Sequence, residues 1–246
     1  MRKLTILFAF LLLSFAVYAQ EGANTLTYGD SMTGEITNRN FEVEYSFQGS
    51  AGDVIVVELI PDDTLDGLSQ PSIIILNSEF DVLASVDAGI SAAVLVYELG
   101  QDGEYFILAT RRDGRSGESI GPYTLELSLV PLLEPSQTMQ GSVTSEQPAY
   151  YAVKSTVDFN ISYERGDGDF YPAIEINVIE DQFFSDDNLE SIATLEGDSL
   201  KRGTIGINVE GSGQALFIVT ISEPLFQFNL SEKSVDFTVE MTVVSN

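Results

Sequence analysis

The sequence has 246 residues with no Cys, no His and no Trp, and its 38 acidic against 11 basic residues give a net charge of −27 at pH 7. That composition excludes disulfides, thiol chemistry and every catalytic triad or dyad that needs His. So acidic a chain is also a poor partner for nucleic acid and for anionic membranes.

Arg2 and Lys3 precede an apolar run from Leu4 to Val17, and Val17 and Ala19 supply the small-x-small pattern of a cleavage site. The spacing predicts a signal peptide over residues 1–19, cleaved after Ala19. The run is shorter than the roughly 20 residues a membrane-spanning helix needs. A secreted, periplasmic or cell-surface protein with no membrane span in the mature chain is therefore expected.

From Leu26 onward the apolar residues recur at every second position. In "FEVEYSF" Phe41, Val43, Tyr45 and Phe47 share one face while Glu42, Glu44 and Ser46 share the other. That is the pattern of a half-buried strand. "GSAGD" (49–53) follows with turn residues, so a hairpin into "VIVVELI" is expected, with the two strands adjacent. Further strands are predicted at 72–76, 81–86, 92–99, 104–110 and 123–130. "NLESIATL" (188–195) reads either as a helical turn or as a loop entering a strand.

The two prolines of "PLLEPS" (131–136) mark a boundary, after which the pattern begins again. "GEITNRNFEVEYSF" from Gly34 aligns with "GSVTSEQPAYYAV" from Gly141, "EYFILAT" with "ALFIVTI" (215–221), and "YTLELSLV" with "VDFTVEMTVV" (235–244). The expected fold is all-β: two tandem antiparallel β-sandwich domains, jelly-roll-like, after the signal peptide. They are expected at 20–130 and, in a more diverged copy, at 137–246, with 131–136 as linker.

The first copy resembles the bacterial pre-peptidase C-terminal domain. The likeness is carried by Gly34-Glu35-Ile36, Tyr45-Ser46-Phe47, Ala51-Gly52-Asp53, "IIILNSEFDVLAS" (73–85), "QDGEYFILAT" (101–110) and "GPYTLELSL" (121–129). It extends over residues 26–130 and implies a secreted β-sandwich of the kind appended to extracellular proteases. The sequence departs from the pattern at "SEF" (78–80), where a Gly is usual. No peptidase domain accompanies either copy, so action alone, or with a secreted hydrolase in trans, is expected.

These likenesses concern fold-bearing positions, and fold does not fix function. Paired carboxylates are inevitable among 38 acids, and without Trp the chain lacks the usual sugar-stacking side chain, so no enzymatic activity is expected. Carboxylate-rich loops make calcium a candidate ligand: Asp62, Asp63 and Asp66 in "PDDTLDG", Asp167 and Asp169 in "RGDGDF", and Asp181, Asp186 and Asp187. Asp is equally a turn residue, and none of the clusters has EF-hand spacing. The "RGD" tripeptide at Arg165–Asp167 reads first as turn chemistry.

"RRDGRSG" (111–117) gathers Arg111, Arg112 and Arg115 in an otherwise acidic chain. Loops on a rigid sandwich commonly carry binding, and guanidinium groups pair with carboxylates, so these three are the candidate contact residues. The expected function is a secreted, non-catalytic binding or accessory protein for an extracellular polysaccharide or partner protein. The alternative is a structural protein of the cell envelope that assembles through β-sheet edges.

Overall fold

The computed structural model describes residues 24–62, 68–89, 91–144, 147–179, 190–196, 201–209, 215–223 and 233–244. The first half contributes β1 (Asn24–Leu26), β2 (Asp30–Ile36), β3 (Glu42–Gly49), β4 (Val54–Pro61), β5 (Pro71–Asn77), β6 (Val82–Asp87), β7 (Ala93–Glu98), β8 (Gly103–Arg111) and β9 (Gly121–Leu129). The second contributes β10 (Thr138–Thr144), β11 (Ala149–Ser155), β12 (Phe159–Gly168), β13 (Ala173–Val178), β14 (Glu190–Leu195), β15 (Arg202–Ile207), β16 (Ala215–Ser222) and β17 (Ser234–Val243). A single 3-10 turn, Gly114–Ser116, is the only helical element among the described residues. Residues 190–195 of "NLESIATL" form strand β14, and 188 and 189 lie outside the described residues.

Four sheets result, ordered β1-β3-β8-β5-β6 (sheet 1), β2-β9-β4-β7 (sheet 2), β11-β16-β13-β14 (sheet 3) and β10-β17-β12-β15 (sheet 4). Sheets 1 and 2 enclose one core, with Tyr45, Phe47, Ile55, Val57, Ile107 and Leu125 among its buried side chains. Sheets 3 and 4 enclose another, with Tyr151, Phe159, Ile161, Phe217 and Phe237. The nested antiparallel pairs β2/β9, β3/β8, β4/β7 and β5/β6 make the first sandwich a jelly roll, and β10/β17, β11/β16, β12/β15 and β13/β14 repeat the scheme. Among the described strands only β1 departs from antiparallel pairing, lying parallel to β3 at the edge of sheet 1.

This topology corrects the expected hairpin: β3 pairs with β1 and β8, whereas β4 pairs with β7 and β9. "GSAGD" carries the chain from one sheet to the other, across the core. The returning connection between β7 and β8 runs beside it, with Gly52 N donating to Leu99 O (2.7 Å), Leu99 N to Asp53 O (2.8 Å) and Ala51 N to the Asp102 carboxylate (2.8 Å). Gly52 adopts φ 86°, a conformation open to glycine at little cost. A period-two pattern reports which face of a strand is buried, and it is silent on which sheet the next strand joins.

Register supports an internal repeat but moves one of its sequence matches: with Tyr45 opposite Ile107 and Tyr151 opposite Val219, "EYFILAT" falls on 216–222, one residue beyond the expected "ALFIVTI". Gly34 pairs with Tyr123 and Gly141 with Phe237, while Tyr45 and Tyr151 occupy matching places on β3 and β11. A Cβ at Gly34 would fall within the Tyr123 ring, and one at Gly141 would strike the Phe237 ring and the Tyr151 hydroxyl. Each sandwich therefore uses a glycine to let a large aromatic ring lie flat over the neighbouring strand. In the first, the Tyr45 and Tyr123 hydroxyls meet at 3.0 Å inside the core.

The two sandwiches are stacked face to face. Val54 and Val56 of β4, Val96 of β7 and Val130 form one apolar cluster with Ala152 of β11, Leu216 and Ile218 of β16, and Ile179. Burying a Val, Leu or Ile side chain contributes about 1.5–3 kcal/mol each. Polar ties fringe this seam: Tyr150 donates to Glu58 (2.9 Å), and Lys154 reaches both Glu98 (2.8 Å) and Gly52 O (3.1 Å). The segment 131–136 is stitched to the second sandwich, with Ala152 N donating to Pro131 O (2.9 Å) and Ser136 N to Met241 O (2.7 Å).

Candidate functional site

The candidate Arg residues separate in space. Arg111 ends β8 and is only 2% exposed. Its Nε donates to Gly114 O (2.8 Å), and its Nη1 to Asn38 Oδ1 (3.0 Å) and Ser119 O (3.1 Å). It organises the loop from within, its side chain occupied by these bonds and withdrawn from the surface. Arg115 points elsewhere, its guanidinium 6.0 Å from the centre of the Phe41 ring. Arg112 alone turns toward the junction of the two sandwiches, where its Nε stands 3.9 Å from Asp87 Oδ2.

The local fold explains this divergence. Asp113 and Gly114 both adopt left-handed backbone (φ 62° and 49°), so the chain turns sharply after Arg112. Arg112 N donates to Gln70 O (3.0 Å), and Ser119 Oγ accepts from Ser69 N (2.9 Å) and Gln70 N (3.1 Å). The loop is thereby pinned to the start of β5, which holds the Arg112 backbone at the mouth of the junction.

There a cleft of about 770 Å³ opens between the sandwiches. The first sandwich lines it with the end of β6, the residues before β7 and Arg112; the second with Tyr150, Glu175, Asn177, Ser191 and Thr220. Glu175 and Asn177 alternate with Ile174 and Ile176 on β13, so the core face holds the isoleucines and the outer face presents the polar pair to the cleft. Asn177 is buried and donates to Glu175 Oε1 at 3.2 Å. One guanidinium, two carboxylates, a carboxamide and several hydroxyls thus converge on one space.

Behind the cleft, Tyr150 donates to Glu58, and desolvation pushes the Glu58 carboxyl above the ordinary carboxylate range, with neighbouring Glu126 adding repulsion and the Tyr150 hydroxyl opposing. The Tyr150 hydroxyl is pushed up as well, by burial first and by the Glu58 charge second. Hydroxyl, carboxylate, carboxamide and guanidinium groups of this kind can hold a polar ligand by hydrogen bonds.

The remaining sequence candidates lie apart from this place. Asp62 is exposed just beyond β4, its backbone N–H donating to Pro122 O (3.1 Å), while Asp63, Asp66, Asp181, Asp186 and Asp187 lie outside the described residues. Asp167 lies within the bulge of β12 between Arg165 and Gly168, and Asp169, just past the strand, is tied to Ser234 through its backbone N–H (2.9 Å). Among the described residues no three carboxylates converge as a metal site. The Arg of "RGD" is committed internally: Arg165 donates to Phe170 O (2.8 Å), Gly166 O (2.9 Å) and Gly168 O, and its guanidinium covers Tyr171.

Sequence reasoning singled out Arg112 but missed the polar residues that share its cleft, because Tyr150, Glu175 and Asn177 read as ordinary outward positions of strands. The stacking of one sandwich on the other places those positions and Arg112 on one cleft.

No family model matches the chain, and no curated protein does. Among solved structures, the chain is similar to the pre-peptidase C-terminal domain of a collagenase from Bacillus anthracis, at 14% identity and a TM-score of 0.36, over 44% of this chain and 96% of that one. It is also similar to the CUB1-EGF-CUB2 region of human MASP-1/3, at 9% identity and a TM-score of 0.23, over 86% of this chain and 99% of that one. The domain that residues 26–130 resemble in sequence is thus among the structural matches, and the fold itself rests on the strand order and register described above.

Proposed function

We propose that the protein is a secreted, non-catalytic binding or accessory module that engages an extracellular polymer or partner protein through the cleft between its sandwiches. The observation that supports this reading is the convergence of Arg112, Asp87, Glu175 and Asn177 on a cleft with walls from two rigid sandwiches. Sites at the junction of two packed units are preferred ligand positions, and a guanidinium among amide and hydroxyl groups suits a hydrogen-bonding, carboxylate-bearing chain. The absence of His and Cys accords with binding rather than turnover.

Co-sedimentation with insoluble peptidoglycan, chitin, cellulose and collagen, in calcium and in chelator, tests it. Retention on one polymer, reduced at least tenfold by Arg112→Ala and by Asn177→Ala with unchanged melting, is the expected outcome. Retention that both variants leave intact would move the site away from the cleft, and failure to bind any polymer would leave only a protein ligand for it.

A further inference from the structure

We propose that Glu58 and Tyr150 form a proton-dependent clasp that sets the width of the cleft: with a proton on Glu58 the two walls are held together, and as Glu58 ionises they part. As a control on binding, the clasp rests on the reading of the cleft as the ligand site; as a device within the fold it stands on the seam alone. Three successive outward rungs of β4 and β7 pair Val54 with Glu98, Val56 with Val96, and Glu58 with Val94. The residues of β11 that face them are Lys154, Ala152 and Tyr150, while Tyr151 and Val153 point into the second core. The contacts follow the same order: Lys154 is bonded to Glu98 (2.8 Å), Ala152 lies in the apolar cluster with Val56 and Val96, and Tyr150 donates to Glu58 (2.9 Å).

One end of the seam is therefore fixed and the other is switchable. The Lys154 and Glu98 pair keeps its charges through the neutral range, and apolar burial in the middle does not change with pH. The third rung carries a carboxyl where its neighbours on the row carry valines. Tyr150 and Val94 both line the cleft, so this rung is also the inner margin of the cleft. On sheet 3, Tyr150 shares its own rung with Thr220 and Glu175, which line the cleft as well.

The groups that face Glu58 set the sign. Glu126 stands directly across from it on β9, and Tyr150 meets it from β11. Lys154 is engaged at the other end of the seam, Glu175 lies further along the Tyr150 rung, and Arg112 stands by Asp87. Desolvation pushes the Glu58 carboxyl up, the Tyr150 hydroxyl opposes, and the Glu126 charge adds to the push. Parting the walls returns water to Glu58, so the parted form gives up its proton at lower pH than the closed form. By linkage, rising pH then favours parting.

The test needs no ligand. The chain has no Cys, so Ser91→Cys and Ser191→Cys place one spin label on each wall, at exposed positions of the cleft. It also has no His, the side chain whose ordinary pKa lies between pH 5 and pH 8, so a response in that interval isolates a raised carboxyl. Pulsed electron resonance should give one narrow distance distribution at pH 5 and a longer component whose share grows about tenfold by pH 8. Glu58→Gln should keep the narrow distribution throughout, and Glu126→Gln should shrink the longer component part of the way. Distances that ignore pH, or that respond equally in Glu58→Gln, overturn the clasp. So does a parallel change in far-ultraviolet circular dichroism, which would mean unfolding. Co-sedimentation with peptidoglycan, chitin, cellulose and collagen at both pH values separates the clasp from the ligand site: retention at pH 5 that is lost at pH 8, but kept by Glu58→Gln, supports both. Retention that ignores pH while the distances respond would overturn the cleft as the ligand site and uphold the clasp.

Discussion

The two sandwiches share one plan and differ in how completely their polar groups are satisfied. In the first, the Tyr45 and Tyr123 hydroxyls answer each other at 3.0 Å. In the second, Phe237 stands in the place of Tyr123, and the nearby Tyr163 hydroxyl is buried with no hydrogen-bond partner among the described residues. Its pKa is pushed up to about 12 by burial, with Arg165 opposing. The glycine and ring geometry is thus sufficient for the fold, and the hydroxyl pair is an addition to it.

A buried charge breaks the comparison most severely. Tyr45→Asp places an unpaired carboxylate in the first core and should cost about 3–5 kcal/mol, seen as loss of the cooperative urea transition of that sandwich. Val56→Asp should cost a similar amount in a different form. Val56 is fully buried but lies in the seam between sandwiches, so each core should survive and one unfolding transition should become two. If Val56→Asp melts in the same single step as the parent, the seam does not couple the two halves.

Removing hydroxyls sharpens the contrast at smaller scale. Tyr45→Phe should destabilise by about 1 kcal/mol, because Tyr123 is left with an unanswered hydroxyl, whereas Tyr163→Phe should be neutral or stabilising by a similar amount. Equal losses in chemical denaturation would show that the Tyr163 hydroxyl has a partner.

Glu58 makes stability depend on pH. Its folded-state pKa is raised by desolvation, so the folded protein holds that proton more tightly than the unfolded chain. Stability is then greatest below the ordinary Glu pKa and falls as pH rises through the interval up to the raised value. Glu58→Gln keeps an acceptor for Tyr150 and should flatten that decline, most visibly as a higher denaturant midpoint at pH 7 than the parent. The smallest effect belongs to Lys154→Ala: its pair with Glu98 is partly solvent-screened, so a loss of up to about 1 kcal/mol that shrinks in high salt is expected.

Period-two alternation, turn residues and the order of three repeated segments made strands and an all-β sandwich fold legible in the sequence. Those signals are local, and strands read them out directly because side chains alternate between faces. The run Val54-Ile55-Val56-Val57 is the instructive exception. Its lack of alternation signals burial on both sides, and the structure shows why: Ile55 and Val57 fill the first core while Val54 and Val56 fill the seam. The step of "GSAGD" between sheets, the division of labour among Arg111, Arg112 and Arg115, and the placing of Arg112 and Asn177 on one cleft were decided only by tertiary structure. Sheet choice and inter-sandwich stacking depend on contacts between residues far apart in the chain, such as Tyr150 with Glu58, and a sequence pattern carries only the relation of each residue to its neighbours.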